Sequence, residues 1–214
     1  GVALNIDAGG AVAINAAVAT NDGNFTVRDF AGTGASGAFT VASGGSISTG
    51  GGAIDVKASS VTINSAMTLS GAAKFDGGTG LITLGAVGGS GDLTLAGSGG
   101  ATVASVALAS NTVEVSGLTG TLTATGGFTA GVLTGASHVT NLALDGGGTI
   151  GNAQTLTNTG TVTLDGVTFT GGLTTTGVGG TVTLSGAVSA TNNALDLGAV
   201  TLGGAGATRT VADT

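Results

Sequence analysis

Two aspartates that lie 20 residues apart are the first residues in this sequence that could do chemistry. Asp145 and Asp165 each follow a leucine and precede a glycine, in the segments NLALDG and TVTLDG. Two carboxylates held close together repel each other unless a cation or a proton intervenes, so one interpretation of the pair is a cation site. The alternative is a Leu-Asp-Gly turn, in which Asp bonds nearby backbone and Gly supplies a positive φ. Ser185 at the next equivalent position, in TVTLSG, favours the turn.

A glycine-rich segment, GGSGDLTL, is similar to the calcium-binding nonapeptide G-G-x-G-x-D-x-U-x. Its aspartate, Asp92, comes one residue too early for that motif, and the motif is not repeated in tandem. The segment DGGTGLITL has the glycines but lacks the aspartate that should follow. The spacing therefore argues against a calcium roll.

His138 is the only histidine, and the chain has no cysteine. A metal site or a nucleophilic triad would have to combine this one histidine with scattered Asp or Ser residues. We therefore interpret His138, in GASHVTN, as a solvated strand or turn residue. Glu114 alternates with Val113 and Val115 and is predicted to be a surface charge.

Arg28 and Asp29 lie next to Phe30 and could form a small recognition spot, but a solvated edge fits these residue types better. No residue of the chain is therefore assigned to a catalytic, cofactor-binding or metal site. No cofactor is expected.

The elements that carry these residues repeat at a fixed interval. TVTLDG at 161–166 returns as TVTLSG at 181–186, and NLALDG lies 20 residues before the first of them. Apolar side chains alternate within each copy, which is the period of a strand, and an interval near 20 is typical of a solenoid coil. The predicted inward residues of this column are Val61/Ile63, Ile82/Leu84, Val103, Leu122/Ala124, Leu142/Leu144, Val162/Leu164 and Val182/Leu184.

Two further columns of apolar residues run through the sequence at about the same interval. One consists of Ile54/Val56, Leu93/Leu95, Val113/Val115, Leu133, Leu173 and Leu195/Leu197. The other consists of Met67/Leu69, Val87, Val106/Leu108, Phe128, Ile150, Val167/Phe169 and Val188. Three short strands in about 20 residues describe one coil, and many coils must stack to bury their apolar faces.

The predicted fold is therefore an all-β, right-handed parallel β-helix (β-solenoid) with about 20 residues and three short strands per coil. Dividing 214 residues by 20 gives about 10.7 coils. Residues 53–214 are predicted to be one continuous, regular solenoid domain. Residues 1–52 have a less regular interval, which indicates a cap or coils decorated with longer loops. The chain begins and ends within the pattern, so we interpret it as a segment of a longer protein.

The composition excludes several classes of protein. The chain has 45 glycines, no proline and a net charge of −7. Proline cannot donate to a strand ladder, so its absence fits a chain laddered almost throughout. The negative charge argues against nucleic acid as a partner. No apolar run is long enough for a membrane helix, and the aromatic girdles of a membrane barrel are missing.

The outward residues are largely threonine, with Thr83, Thr123, Thr163 and Thr183 in one column. Stacked threonines form a flat, weakly charged β-surface. Such a surface can pack against a neighbouring rod or bind carbohydrate through its hydroxyls. Carbohydrate sites usually add aromatic platforms, which are scarce here, so packing against another copy is favoured.

In repeat style and composition, segments such as ITLGAVGGSGDLTLAG, TLTATGG and LDGGGTIGNAQTLTNTGTVTLDG resemble bacterial secreted β-helix surface proteins. The resemblance covers roughly residues 53–204 and is to the filamentous haemagglutinin type and the passenger regions of autotransporter adhesins. It implies export to the bacterial cell surface and a role in adhesion or fibre building.

These observations predict a non-enzymatic extracellular protein, which is a structural or adhesive solenoid segment of a surface protein or self-assembling filament. Its expected partners are further copies of itself, end-to-end or lateral, and a host or cell-surface glycan or receptor. Two alternatives remain open at this point. One is a polysaccharide-acting β-helix enzyme, which would need clustered carboxylates. The other is a calcium-stiffened adhesin, which calcium would stabilise strongly.

Overall fold

Short strands of alternating apolar residues build a β-solenoid of ten coils in this chain. The structure is a computed structural model that describes residues 1–28, 37–203 and 209–213. Each coil contributes three strands, which lie on three faces, and like strands stack in parallel from coil to coil. The one helical element in the described residues is a 3₁₀ turn at Ala136–His138.

The bounds of the strands follow the three faces, numbered in the order in which each coil visits them. The first face consists of Leu4–Asp7, Phe25–Arg28, Ile54–Lys57, Ala73–Asp76, Leu93–Ala96, the end of Ala101–Ser116, the end of Phe128–Thr134, Gln154–Thr155, Leu173–Thr174 and Leu195–Asp196. The second face consists of Val12–Ile14, Phe39–Val41, Val61–Ile63, the start of Ile82–Gly89, the start of Ala101–Ser116, Thr121–Ala124, Asn141–Leu144, Val162–Leu164, Val182–Leu184 and Val200–Leu202. The third face consists of Ala17–Ala19, Ser46–Ser48, Met67–Leu69, the end of Ile82–Gly89, the middle of Ala101–Ser116, the start of Phe128–Thr134, Gly148–Ile150, Val167–Phe169, Val188–Ala190 and Val211–Asp213.

Each face is held by a parallel ladder in which equivalent residues stack. On the second face Leu142 lies between Leu122 of the coil before and Val162 of the coil after. Its backbone N–H donates to the carbonyl of Thr161 at 2.9 Å, in the next coil. A strand spacing of about 4.8 Å then makes ten coils a rod on the order of 50 Å long.

The core is the column of inward side chains that these ladders place on top of one another. The predicted inward residues of all three columns are buried, except Leu195 and Leu197 in the last coil, which are half-buried. The fold class and the three strands per coil predicted from the repeat are therefore confirmed. The prediction missed two coils on the first face, where Ala73/Phe75 and Gln154/Leu156 point inward and are buried.

The first two coils belong to the same three faces. Leu4 pairs with Phe25 on the first face, and Val12 pairs with Phe39 on the second. The longer connection between the second coil's first and second faces includes residues outside the described ranges. Phe25 and Phe39 are fully buried, and their tilted rings lie 6.2 Å apart between centroids. This aromatic pair fills the core of the second coil, at a spacing favourable for two rings.

Several buried positions carry polar side chains, among them Gln154 and Asn158. Asn158 is fully buried at the corner between the first and second faces of the eighth coil. Its Nδ2 donates to the carbonyl of Ala136 at 2.9 Å and to that of Val139 at 2.8 Å. Both carbonyls belong to the 3₁₀ turn and its C-cap in the coil before. Asn158 therefore satisfies two buried acceptors that the irregular turn removes from the regular ladder.

Phe128→Ala is expected to destabilise the chain by about 3–5 kcal/mol, because it leaves a cavity at a fully buried position on the third face of the sixth coil. Urea unfolding followed by circular dichroism measures the change. Thr129→Ala, at the neighbouring outward position, is the matched control and should cost less than about 1 kcal/mol. Equal decreases in the free energy of unfolding for the two variants would contradict the assignment of Phe128 as inward and Thr129 as outward.

Asn158→Ala is expected to destabilise by roughly 1–3 kcal/mol, since the carbonyls of Ala136 and Val139 would lose their buried donor. Thermal unfolding measures this loss, with the exposed neighbour Thr157→Ala as control. Hydrogen exchange localises it, because faster exchange should be concentrated in the turn and its neighbouring coils. An unchanged melting temperature in the Asn158→Ala variant would show that the two carbonyls find another hydrogen-bond donor.

Candidate interaction surface

The two aspartates singled out in the sequence do stack in neighbouring coils. Asp145 N donates to the carbonyl of Ala124, and Asp165 N donates to that of Leu144, each at 2.9 Å. Each aspartate therefore continues the second-face ladder by one residue beyond its strand. Burial, followed by the nearby negative charge of Asp165, raises the pKa of the Asp145 carboxyl above its usual range.

The local backbone at the two aspartates has the geometry of a turn. Gly146 and Gly166 directly follow the aspartates and adopt φ of +95° and +71°. The positive φ predicted for the glycine of Leu-Asp-Gly is therefore confirmed at both positions. Ser185 occupies the equivalent position in the next coil, where its N–H donates to the Leu164 carbonyl at 2.8 Å. Among the described residues, no group of three or more His, Asp or Glu side chains is placed to hold a metal ion.

Asp92 has a structural role between coils. Its Oδ1 accepts a hydrogen bond of 2.7 Å from the backbone N–H of Thr112, in the next coil. Asn141 does the same for Thr161 at 2.8 Å. Sequence reasoning missed this use of Asp and Asn. The signal in the sequence is an Asx residue about 20 residues before the residue whose backbone N–H donates to it.

The remaining singled-out residues lie on the surface of different coils. His138 is exposed at the end of the 3₁₀ turn. Glu114 is exposed between the buried Val113 and Val115, which confirms its predicted outward direction, and its Oε2 accepts a 3.4 Å hydrogen bond from Thr94 Oγ1. These side chains are not brought together into one site.

Charged side chains concentrate on the outer surface of the first face, in the first four coils. Arg28 forms an ion pair with Asp55 of the next coil. The other two residues of the predicted recognition spot, Asp29 and Phe30, lie outside the described residues. Exposed pairs of this kind contribute little to stability individually. The ladder register places further opposite charges beside each other, which are Asp7 with Arg28, Asp55 with Lys74, and Lys57 with Asp76.

The second face carries an uncharged row that the sequence predicted in part. Thr83, Thr123, Thr163 and Thr183 are in one column, as expected. Ala143 interrupts the column between the sixth and eighth coils. The pairing register extends this threonine row to eight residues: Thr40, Thr62, Thr83, Thr102, Thr123, Thr163, Thr183 and Thr201. The row is the longest repeated surface feature of the described structure.

The described residues form no pocket, so the candidate sites of this chain are its outer faces. No helix among these residues is both long enough and apolar enough to cross a membrane. The large apolar side chains that remain exposed include Leu81 on the second face, and Val200, Leu202 and Val211 in the tenth coil.

Comparison with protein-family models, with curated proteins and with solved structures found no match to this chain. The β-solenoid fold is compatible with the predicted resemblance to β-helix surface proteins. The structure therefore supports the resemblance at the level of the β-solenoid architecture. Membership of a particular class of surface protein is a proposal.

Asp145→Asn is expected to stabilise the chain relative to the natural sequence at neutral pH. A carboxyl whose folded-state pKa is raised contributes stability that is full below its unfolded pKa and is lost as pH rises through the folded pKa. The asparagine in the variant cannot ionise. The stability of the variant relative to the natural sequence should therefore increase from about pH 3 to about pH 7. Thermal unfolding across this range measures the effect.

Asp165→Asn is the control for the cause of this shift, because it removes the charge but leaves the burial of Asp145 in place. Titration of the Asp145 carboxyl by NMR should show a lower pKa in this variant, still above the usual value. A stability difference between Asp145→Asn and the natural chain that does not vary with pH would contradict the raised pKa.

Proposed function

We propose that this chain is a non-enzymatic structural or adhesive segment of an extracellular bacterial surface protein or self-assembling filament. The observation that carries the proposal is the parallel stacking of like strands in ten coils, with an unbroken ladder along the second face from Val12–Ile14 to Val200–Leu202. A shaft of this kind resists bending, because bending must lengthen backbone hydrogen bonds on one side along the whole rod. It can hold a surface at a distance from its point of attachment.

The distribution of reactive groups supports a mechanical role. Polysaccharide-acting enzymes need carboxylates that converge on a bound sugar. Acidic and basic side chains do come together on the first face, but they are paired with each other across coils. The described residues contain no pocket beside them.

The apolar surface of the tenth coil supports self-association. Leu202 is 63% exposed, whereas its register partner Leu184 in the coil before is fully buried. Val211 is 50% exposed, and its partner Val188 is likewise fully buried. A further coil stacked on this end would cover these inward positions and pair the free strand edges. We propose another copy of the chain as one source of that coil, and cell-surface glycans or receptors as partners of the outer faces.

Electron microscopy and fibre diffraction of the concentrated chain test the assembly. We expect filaments with an axial repeat near 4.8 Å, the spacing of stacked strands. Leu202→Lys should shorten or abolish them, because it places a charge on the apolar end. Thr155→Lys, at an exposed position on the first face of the eighth coil, is the matched control and should leave filament length unchanged.

The outcomes separate the parts of the proposal. Single rods on the order of 50 Å at every concentration would contradict self-assembly and leave a shaft that only displays its surface. Filaments that are insensitive to Leu202→Lys would contradict the end-to-end contact. Adhesion is measured separately, by binding of the chain to intact cells and to immobilised glycans, and binding to neither would contradict an adhesive role.

A further inference from the structure

The second face presents a two-dimensional grid of small uncharged groups. One line of the grid is the threonine row, and the other lies two residues before each member of that row, where an extended chain points its side chain to the same side. In the sixth to ninth coils this second line is Thr121, Asn141, Thr161 and Thr181, whereas Leu81 and Gly100 occupy it in the fourth and fifth coils. The grid is therefore confined to the sixth to ninth coils. Neighbouring points lie about 4.8 Å apart along the rod and about 6.6 Å apart across it. Neither line contains a charged residue in the described structure.

The grid is ordered before any ligand arrives. Threonine is β-branched and has restricted χ1 rotation, and all members of the row except Thr201 are half-buried between their neighbours. Asn141 ties the second line across three coils. Its Nδ2 donates to Thr121 Oγ1 at 3.2 Å, and its Oδ1 accepts from Thr161 N at 2.8 Å and Thr161 Oγ1 at 3.1 Å. A preordered surface loses little conformational entropy on binding.

The register of this face is also regular. The pairings run from Val12–Ile14 to Val200–Leu202 in parallel and without a bulge. The one register shift recorded between the described strands lies elsewhere, between Leu108 and Thr112 at the corner of the third and first faces. The second face therefore keeps its spacing along the whole rod.

The chemistry of the face restricts its ligand. Without charges, it offers no ion pairs to an acidic or basic partner, and charge is concentrated instead on the first face. It also offers no aromatic platform for a sugar ring, because the phenylalanines in the described residues are all in the core: Phe25, Phe39, Phe75, Phe128 and Phe169. In the sixth to ninth coils it offers threonine methyl and hydroxyl groups on two lines, with Asn141 and Ala143 in their place in the seventh coil. The complementary ligand is an uncharged lattice of hydrogen-bond donors and acceptors.

We propose that the second face binds ice. Its two perpendicular repeats, about 4.8 Å and about 6.6 Å, are of the same order as the two oxygen repeats on the prism faces of hexagonal ice, and hydroxyls can replace lattice waters while methyls occupy the spaces between them. Each contact is weak, but a rigid face makes many of them at once, which is the condition for strong multivalent binding. The inference depends on the second face alone and does not require the adhesive role or the filament.

Partition of the full chain into slowly growing ice tests the proposal. We expect the natural sequence to be enriched in the ice fraction and to slow ice recrystallisation. The double variant Thr163→Lys with Thr183→Lys places two hydrated charges on adjacent strands of the face. It should lose the enrichment and be excluded like an ordinary solute.

The matched control is Thr155→Lys with Thr174→Lys, which carries the same change on adjacent strands of the first face in the same two coils. It should partition into ice like the natural sequence. Circular dichroism and thermal unfolding establish that both variants are folded. If the face variant is unfolded, Thr163→Val with Thr183→Val removes only the hydroxyls and should reduce the enrichment.

Three results would overturn the proposal. The first is exclusion of the natural sequence from ice, and the second is equal partition of the face variant and its matched control. The third is binding of the natural sequence to crystalline cellulose, or dimerisation through this face in sedimentation experiments, without enrichment in ice. Those last outcomes would assign the threonine grid to a polysaccharide or to a second copy.

Discussion

The backbone hydrogen bond between successive coils is the interaction on which the rest of this structure depends. A single coil has three short strands whose N–H and C=O groups point along the rod axis, so only another coil can satisfy them. The inward side chains face the same constraint, because Leu142 is buried only when Leu122 and Val162 lie on either side of it. The absence of proline follows directly, since each proline would remove a donor from a ladder. We therefore expect the two end coils to be the least stable, since each has a neighbour on one side only and exposes apolar residues such as Leu4 and Leu202.

Close stacking also determines where glycine is needed. At the corner after Asn141–Leu144, Gly148 has a φ of +128°, and a Cβ there would lie 2.0 Å from the carbonyl oxygen of Phe128 in the coil before. No L-side chain fits this combination of dihedral and approach. The corner is tight because the third-face strand must begin almost immediately after the turn that carries Asp145. The high glycine content of this chain therefore reflects the close approach of neighbouring coils at the corners and is not a sign of disorder.

The sequence was sufficient for the architecture because the interval of 20 and the alternation within each strand act together. A residue such as Leu164 is apolar, follows a fixed interval and alternates with an outward threonine, so its burial could be predicted. Phe75 could not be placed in this way, since the segment AKFD contains only one large apolar residue and the coil is one residue shorter than the interval. Asn158 was also missed, because a polar residue at a core position has no pattern in one sequence. Its role depends on carbonyls from a turn 20 residues earlier.

A fold that repeats its backbone at a fixed spacing also repeats its surface, and this decides what kind of function it can support. In the part of the chain that the structure describes, no group of three or more His, Asp or Glu side chains is placed to hold a metal ion. Instead each face repeats one chemical character along the axis, paired charges on the first face near Asp55 and uncharged hydroxyls on the second near Thr163. A surface of this kind gains affinity only from a partner that is itself repetitive. A stacked copy, a regular polymer and a crystal lattice meet that condition, whereas a small soluble ligand does not. The second face, which combines neutrality with two fixed repeats, matches the lattice most closely.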